Sequence, residues 1–291
     1  MVVVIVSSLE DPASTNIKKS LLEQSKWNKI GLFDDLPVYR YSKMEDIIIV
    51  TIKDRKIRRE NLDKEIRSKL EINPKQMIFI SRHRSKMGKP TLTVHPIGNY
   101  GEAQFGGKPK TLVTPAPRSM THLLRLIKKN LNPTDLDYQV CYEVTHHGPY
   151  LETPTLFAEV GSTEEEWNKK EPARIIAQSI LELLEKYHYE EDFSDDIPVL
   201  LGIGGGHYAP RFTDIVFEKK AAFGHMIPSY HIKAGNIDDQ MFEKALESTP
   251  NIKAVYIHKK ALKKSQVTQY KKWFQNKNIS VISSKELPAL D

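Results

Sequence analysis

Val199-Leu200-Leu201-Gly202-Ile203 runs directly into Gly204-Gly205-Gly206-His207: an apolar run without polar alternation that ends in a glycine turn. A strand with one wet face alternates apolar and polar residues, whereas a strand covered on both faces does not. The same signature recurs at residues 2–6, 47–52, 77–80, 112–114, 138–145, 155–160, 221–227, 254–257 and 279–282. Helical spacing fills the intervals. Ile17, Leu21 and Leu22 follow Ser14, while Leu123, Leu124 and Ile127 share one face of residues 120–130. Ile175, Ile176, Ile180, Leu183 and Leu184 form a stripe within 164–187, where Pro172 marks either a kink or the start of a second half. Residues 238–247 and 262–276 supply two more helices. Strands buried on both faces, with helices between them, predict a three-layer αβα architecture around a mostly parallel or mixed central sheet. Residues 83–117 interrupt the rhythm with Gly and Pro, and read as a long irregular excursion with room for a short hairpin. No repeat or linker divides the chain, so residues 1–291 are expected to form one elaborated domain.

Composition narrows the class. At 291 residues and 40% hydrophobic content, the chain can bury a large core, which excludes disorder. No apolar run approaches the roughly 20 residues of a membrane span, and Val2 to Val6 follows Met1 without a basic n-region, so the cytoplasm is expected. A lone Cys141 excludes an internal disulfide and any Cys-rich zinc module. It lies in a strand pattern and reads as a small buried residue rather than a nucleophile. Lys and Arg exceed Asp and Glu by 43 to 37, a balance that permits a polyanionic partner without demanding one.

Histidine placement is the more specific signal. Ser81-Arg82-His83-Arg84-Ser85 closes one strand and is followed by Leu92-Thr93-Val94-His95. Thr145-His146-His147-Gly148-Pro149 closes a second, with Glu152 just beyond, and Gly204 to His207 closes a third. Phe223-Gly224-His225 adds a fourth. Ligands in open α/β sheets lie beyond the carboxyl ends of strands, which is where these loops fall. Neutral imidazole and carboxylate are the usual ligands of catalytic zinc. Because side chains of an extended segment alternate, only one of His146 and His147 is expected to face a given site. Three consecutive glycines leave backbone N–H groups available for an oxyanion or phosphate. His207 stands where a dinucleotide-binding fingerprint needs glycine, so that function is set aside. A Gly-x-Ser-x-Gly elbow is also absent.

These blocks, above all Gly204-Gly205-Gly206-His207-Tyr208-Ala209-Pro210-Arg211, resemble the D-aminoacyl-tRNA deacylases of the archaeal and plant type. The likeness runs over essentially the whole chain, from the Val2 strand and Ser7-Ser8 onward. It implies a cytoplasmic, monomeric, zinc-dependent enzyme that frees tRNA from D-amino acids, D-tyrosine being representative. It also implies a fold related to the phosphorylase and peptidyl-tRNA hydrolase type. Residue chemistry and loop position then suggest His83, His146, His147, Glu152 and His207 as metal ligands. His83, His95, His147, His225 and Glu143 are the candidate catalytic groups, and the N–H groups of Gly204, Gly205 and Gly206 the candidate oxyanion cradle. Arg82, Arg84, Lys86 and Arg211 are the expected contacts to the acceptor end of aminoacyl-tRNA. Lys263, Lys264, Lys271 and Lys272 read first as a solvated helix face. Three alternatives stay open: a zinc-dependent amidase or exopeptidase, a phosphorylase that uses the glycine loop for inorganic phosphate, and an RNA-binding protein without chemistry.

Overall fold

The architecture was obtained as a computed structural model that describes residues 2–187, 193 and 196–290. Each apolar run named above overlaps a strand, although residues 112–114 do so only at Leu112. In chain order the first part comprises β1 (Val2–Ser8), α1 (Pro12–Gln24), β2 (Trp27–Phe33), β3 (Leu36–Tyr41), β4 (Ile47–Ile52), α2 (Leu62–Leu70) and β5 (Pro74–Arg82). There follow β6 (Thr91–His95), β7 (Gly98–Asn99), β8 (Thr111–Leu112), α3 (Pro117–Leu131), β9 (Gln139–Tyr142), β10 (Thr155–Gly161), α4 (Glu164–Asn168) and α5 (Lys170–Lys186). The last part comprises β11 (Val199–Ile203), α6 (Pro210–Glu218), β12 (Ala222–Ile227), α7 (Ser229–Lys233), α8 (Asp239–Ser248), β13 (Ile252–Ile257), α9 (Lys264–Asn276) and β14 (Val281–Ile282).

The central sheet is mixed and eight-stranded, in the order β2-β3-β4-β1-β5-β10-β6-β9. Its middle strands β4, β1, β5 and β10 are parallel, and their apolar runs are covered on both sides. Val3, Ile5, Ile47, Ile49, Ile78 and Ile80 pack with Ile17 and Leu21 of α1, Leu123 and Leu124 of α3, and Ile176 and Ile180 of α5. Val4, Val6, Ile48, Val50, Met77 and Phe79 turn to the opposite face, against Leu62 and Ile66 of α2. Alternate residues therefore feed two different cores, which is why no polar alternation survives in the sequence.

A single central sheet is not the whole framework. β12-β11-β13-β14 form a second, parallel sheet, and β7 pairs with β8 in a small ribbon. Beyond β9 the chain leaves β6 and stitches the two sheets together. Glu143 N–H donates to Val94 O (3.1 Å), Val144 N–H to His207 O (2.9 Å) and Thr145 N–H to Met226 O (3.1 Å). The largest apolar cluster crosses this seam, joining Leu200, Phe223 and Met226 to residues of the central sheet.

One local expectation is revised, one hairpin left no trace in the apolar pattern, and one of two readings of a proline is selected. The excursion at 83–117 carries β6, an interior strand antiparallel to β10 and parallel to β9. Leu92 and Val94 enter the main core, while Thr91, Thr93 and His95 project to the other side and are nonetheless buried. The β2–β3 hairpin carried no apolar run because much of β2 is solvated. Asp34 and Asp35 make its turn with φ of 51° and 60°, both positive as a two-residue hairpin of this kind requires. The helical stripe at 164–187 breaks at Lys169 into α4 and α5, so Pro172, in the first turn of α5, marks the start of the second half rather than a kink. Among the described residues, no helix is long and apolar enough to cross a membrane.

His122 on α3 lies against Tyr187 (5.1 Å between ring centroids) and Phe193 (4.7 Å). Burial, reinforced by Arg125 and Lys186, pushes its pKa down to about 4. The unfolded imidazole, near 6.5, binds more protons than the folded one between those values, so stability is lost as pH falls through that window. Melting curves at pH 7 and pH 5 are expected to differ less for His122→Phe than for the wild type. An equal difference would show that His122 carries none of the acid sensitivity.

Candidate active site

The polar residues interrupting the apolar strands meet where the two sheets join. β10 presents Glu159 and the extension of β9 presents Glu143, both buried. Their negative charge is surrounded by imidazoles: Glu143 Oε2 lies 2.8 Å from His207 Nε2, 3.2 Å from His83 Nδ1 and 3.4 Å from His146 Nε2. Glu159 Oε2 lies 3.6 Å from His83 Nδ1 and 3.8 Å from His95 Nε2. Ring centroids of His146 lie 4.1 Å from His147, 4.4 Å from His95 and 4.7 Å from His207. Five imidazoles supplied by four separate stretches of chain thus converge on two carboxylates.

Second partners fix these rings. His95 Nδ1 lies 3.1 Å from Pro96 O and His146 Nδ1 lies 2.7 Å from Val144 O. Since a carbonyl only accepts, each Nδ1 carries a proton and each Nε2 points into the cluster. His83 Nε2 meets the Tyr208 hydroxyl at 3.0 Å, and the Trp167 indole N–H holds the His83 carbonyl at 2.8 Å. Gly161 makes room for His83. A Cβ there would stand 2.4 Å from Thr91 Oγ1 and 2.8 Å from His83 Cδ2.

Electrostatics divide the imidazoles into two kinds. Burial disfavours a charge on His83, but Glu143 and Glu159 outweigh it and hold its pKa up to about 11. His95 is raised by the same contest. Burial and neighbouring imidazoles push His146 and His147 well below the usual range, so both rings are neutral. Burial likewise opposes ionisation of the two carboxylates, yet His83, His207 and His95 hold Glu143 well below its usual range. His83 and His95 bring Glu159 down to about 2.

The cluster floors a cleft of about 800 Å³. Its walls include Asp11, Lys56, Arg82, Arg84, Lys86, Phe105 and Trp167. Arg82 and Arg84 stand 5.1 and 5.9 Å from the Trp167 ring, placing guanidinium charge at the rim.

Of the residues selected from sequence, His83, His95, Glu143, His146, His147 and His207 are brought together, and Arg82, Arg84 and Lys86 line the same cleft. Others are not. Glu152 points to solvent and pairs with Lys64 at 2.6 Å, because the chain turns away after Gly148 and Pro149. Gly204 N–H is spent on Ile227 O (2.8 Å) and Gly205 N–H on Ser229 Oγ (2.9 Å), so these two do not form an oxyanion cradle. Gly206 is exposed but lacks those companions. His225 is buried away from the cleft, with Nδ1 3.1 Å from Thr145 Oγ1, and burial lowers its pKa to about 3. Arg211 braces the second sheet through Tyr256 Oη (3.0 Å) and Ser284 Oγ (2.8 Å) rather than facing the cleft. Both His146 and His147 face the cluster, against the alternation rule, because His147 takes φ +37° and Gly148 φ +92°. Glu159, Tyr208, Trp167 and Phe105 went unmarked. A carboxylate inside the apolar run Leu156-Phe157-Ala158-Glu159-Val160 was the available signal for Glu159.

Fold and site together define a class: a mixed α/β protein whose two sheets enclose a buried imidazole–carboxylate centre of the donor types that metals and proton transfer use. The family model for D-aminoacyl-tRNA deacylases matches residues 70–282. The D-aminoacyl-tRNA deacylase of Pyrococcus furiosus is 41% identical over 258 residues, covering 87% of this chain and 89% of that protein. That of Methanosarcina acetivorans is 33% identical over 290 residues, covering 98% and 93%. A crystal structure of a conserved protein of unknown function superposes with a TM-score of 0.88 at 28% identity, over 99% of both chains. The chain belongs to the D-aminoacyl-tRNA deacylase family.

Gly161→Ala forces a methyl group into Thr91 and His83, an overpacking that costs about 1–3 kcal/mol. The urea midpoint is expected to fall accordingly at unchanged m-value. A midpoint equal to that of the wild type would mean that the His83 pocket yields freely.

Proposed function

We propose that the protein hydrolyses the ester of D-aminoacyl-tRNA, D-tyrosyl-tRNA among them, releasing the free D-amino acid and tRNA. The observation that carries this reading is the convergence of His83, His95, His146, His147 and His207 on Glu143 and Glu159 beneath a cationic rim, in a chain of this family. The rim argues for an RNA ester over a free peptide, which has no phosphates for Arg82, Arg84 and Lys86 to meet. Charged tRNA as substrate supports a cytoplasmic setting.

The donor set fits zinc. His95, His146 and His147 offer nitrogens within 4.8 Å of one another, as do the donor atoms of His95, Glu143 and Glu159. His95 Nε2, His147 Nδ1, Glu159 Oε2 and both oxygens of Glu143 lack an aligned hydrogen-bond partner among the described residues, as atoms awaiting a cation do. The carbonyl contacts of His95 and His146 are the outer contacts that orient zinc-binding imidazoles. His95, His146 and His147, with Glu143 and Glu159 beside them, would hold the zinc, which when bound would serve as a Lewis acid that activates water near neutral pH.

The remaining steps belong to the chain's own groups. His83 stays protonated at neutral pH between Glu143 and the Tyr208 hydroxyl, so that hydroxyl is positioned to pass a proton to the departing ribose oxygen. His207, half in the cleft and 2.8 Å from Glu143, is placed to accept a proton from the attacking water. Arg84 and Lys86 hold backbone phosphates while the ester reaches the floor.

Tyrosine release from D-tyrosyl-tRNA and L-tyrosyl-tRNA tests the reading. The D-ester is expected to be cleaved at least tenfold faster, activity to be lost on chelation and recovered with zinc, and His95→Ala to lower the rate about 100-fold or more. Cleavage of dipeptides with charged tRNA ignored, or tRNA binding with no hydrolysis, would overturn it.

A further inference from the structure

Phe105 stands at the cleft wall with 62% of its surface exposed. A lone exposed apolar side chain is ordinary, but the backbone that carries this one is held in place. Gly106 and Gly107 follow it with φ of +87° and +81°. A Cβ on Gly106 would lie 1.5 Å from Ile57 O, and one on Gly107 would lie 2.6 Å from Gly148 O. Only glycine lets the loop press this closely on both walls. Gly107 N–H donates to Glu60 Oε1 at 2.8 Å, and Asn99 Nδ2 donates to Gly106 O at 2.9 Å. The same Glu60 accepts the N–H of Tyr150 through its other oxygen at 2.5 Å, tying the loop to the segment that follows His147 and Gly148. The loop is clamped while its one large apolar ring is left in water.

The ring's surroundings indicate what covers it. Arg55, Arg82, Arg84 and Lys86 share the cleft. Arg55 is matched by Glu10 at 3.2 Å, whereas the exposed Arg84 and Lys86 have no carboxylate partner among the described residues. A fixed aromatic face beside unpaired cations is the combination that single-stranded nucleic acid uses, base on ring and phosphate on cation. If the ester lies over the imidazoles, the base of the nucleoside bearing it must leave the floor toward a wall.

We propose that Phe105 is the stacking platform for the unpaired 3′-terminal base of the RNA substrate, with Arg84 and Lys86 taking the adjoining phosphates. This assignment rests on the reading of the site as an aminoacyl-tRNA esterase. Phe105 positions substrate and touches no reacting atom.

Uncharged tRNA with 2-aminopurine as its 3′-terminal base reports stacking without chemistry. Titration with the wild type is expected to quench the probe. Phe105→Ala is expected to abolish most of the quenching and weaken binding about tenfold, and Phe105→Trp to restore both. With D-tyrosyl-tRNA, the Ala variant should raise KM about tenfold while kcat changes far less. Equal quenching by the wild type and the Ala variant, or none by the wild type, would overturn the proposal. Hydrolysis by Phe105→Ala with an unaltered KM would remove the platform and leave the esterase reading standing. Quenching that depends on Phe105, with no cleavage of D-tyrosyl-tRNA, would do the reverse.

Discussion

A carboxylate removed from water must be compensated, and Glu143 is fully buried. An isolated buried charge costs several kcal/mol even after relaxation, so its surroundings have to supply opposite charge or proton donors. His83 and His207 do so from two different stretches of chain, and His83 and His95 do the same for Glu159. The need to gather these rings explains the path of the backbone around them. The chain beyond β9 leaves one sheet for the other at Glu143, His147 adopts a left-handed conformation, and Gly161 stays bare so that His83 fits.

The two sheets make this geometry rigid. Alternate residues of β1, β4, β5 and β10 fill two cores, leaving the strand ends little freedom. The second sheet delivers His207 at the end of a glycine turn whose first two N–H groups are tied to β12 and Ser229. That turn therefore positions His207 rather than binding an anion. Around the rim, Asp11 accepts from the Lys56 ammonium and from Arg82 N–H, so the basic wall is anchored from below.

The layered fold was legible because double-sided burial leaves an unmistakable trace in β1, β4 and β11: apolar residues with no alternation. The division into two sheets was not, since it depends on which neighbour the extension of β9 selects, a tertiary choice. His83, His146 and His207 were legible as imidazoles at turns beyond strands. Glu152 misled because nearness in sequence does not fix direction. Gly204 and Gly205 misled because their N–H partners, Ile227 O and Ser229 Oγ, come from more than twenty residues away. Glu159 was visible only as an isolated charge in a greasy strand, and its meaning appears once His83 and His95 are seen facing it.

If Glu143 and Glu159 are compensated in the working protein by a cation as well as by imidazolium, anomalous diffraction at the zinc absorption edge from zinc-grown crystals locates it directly. A peak is expected among His95, His146 and His147 beside the two carboxylates. An empty centre in such crystals, or a peak elsewhere on the chain, would contradict the metal reading and leave the cluster a purely imidazole–carboxylate one.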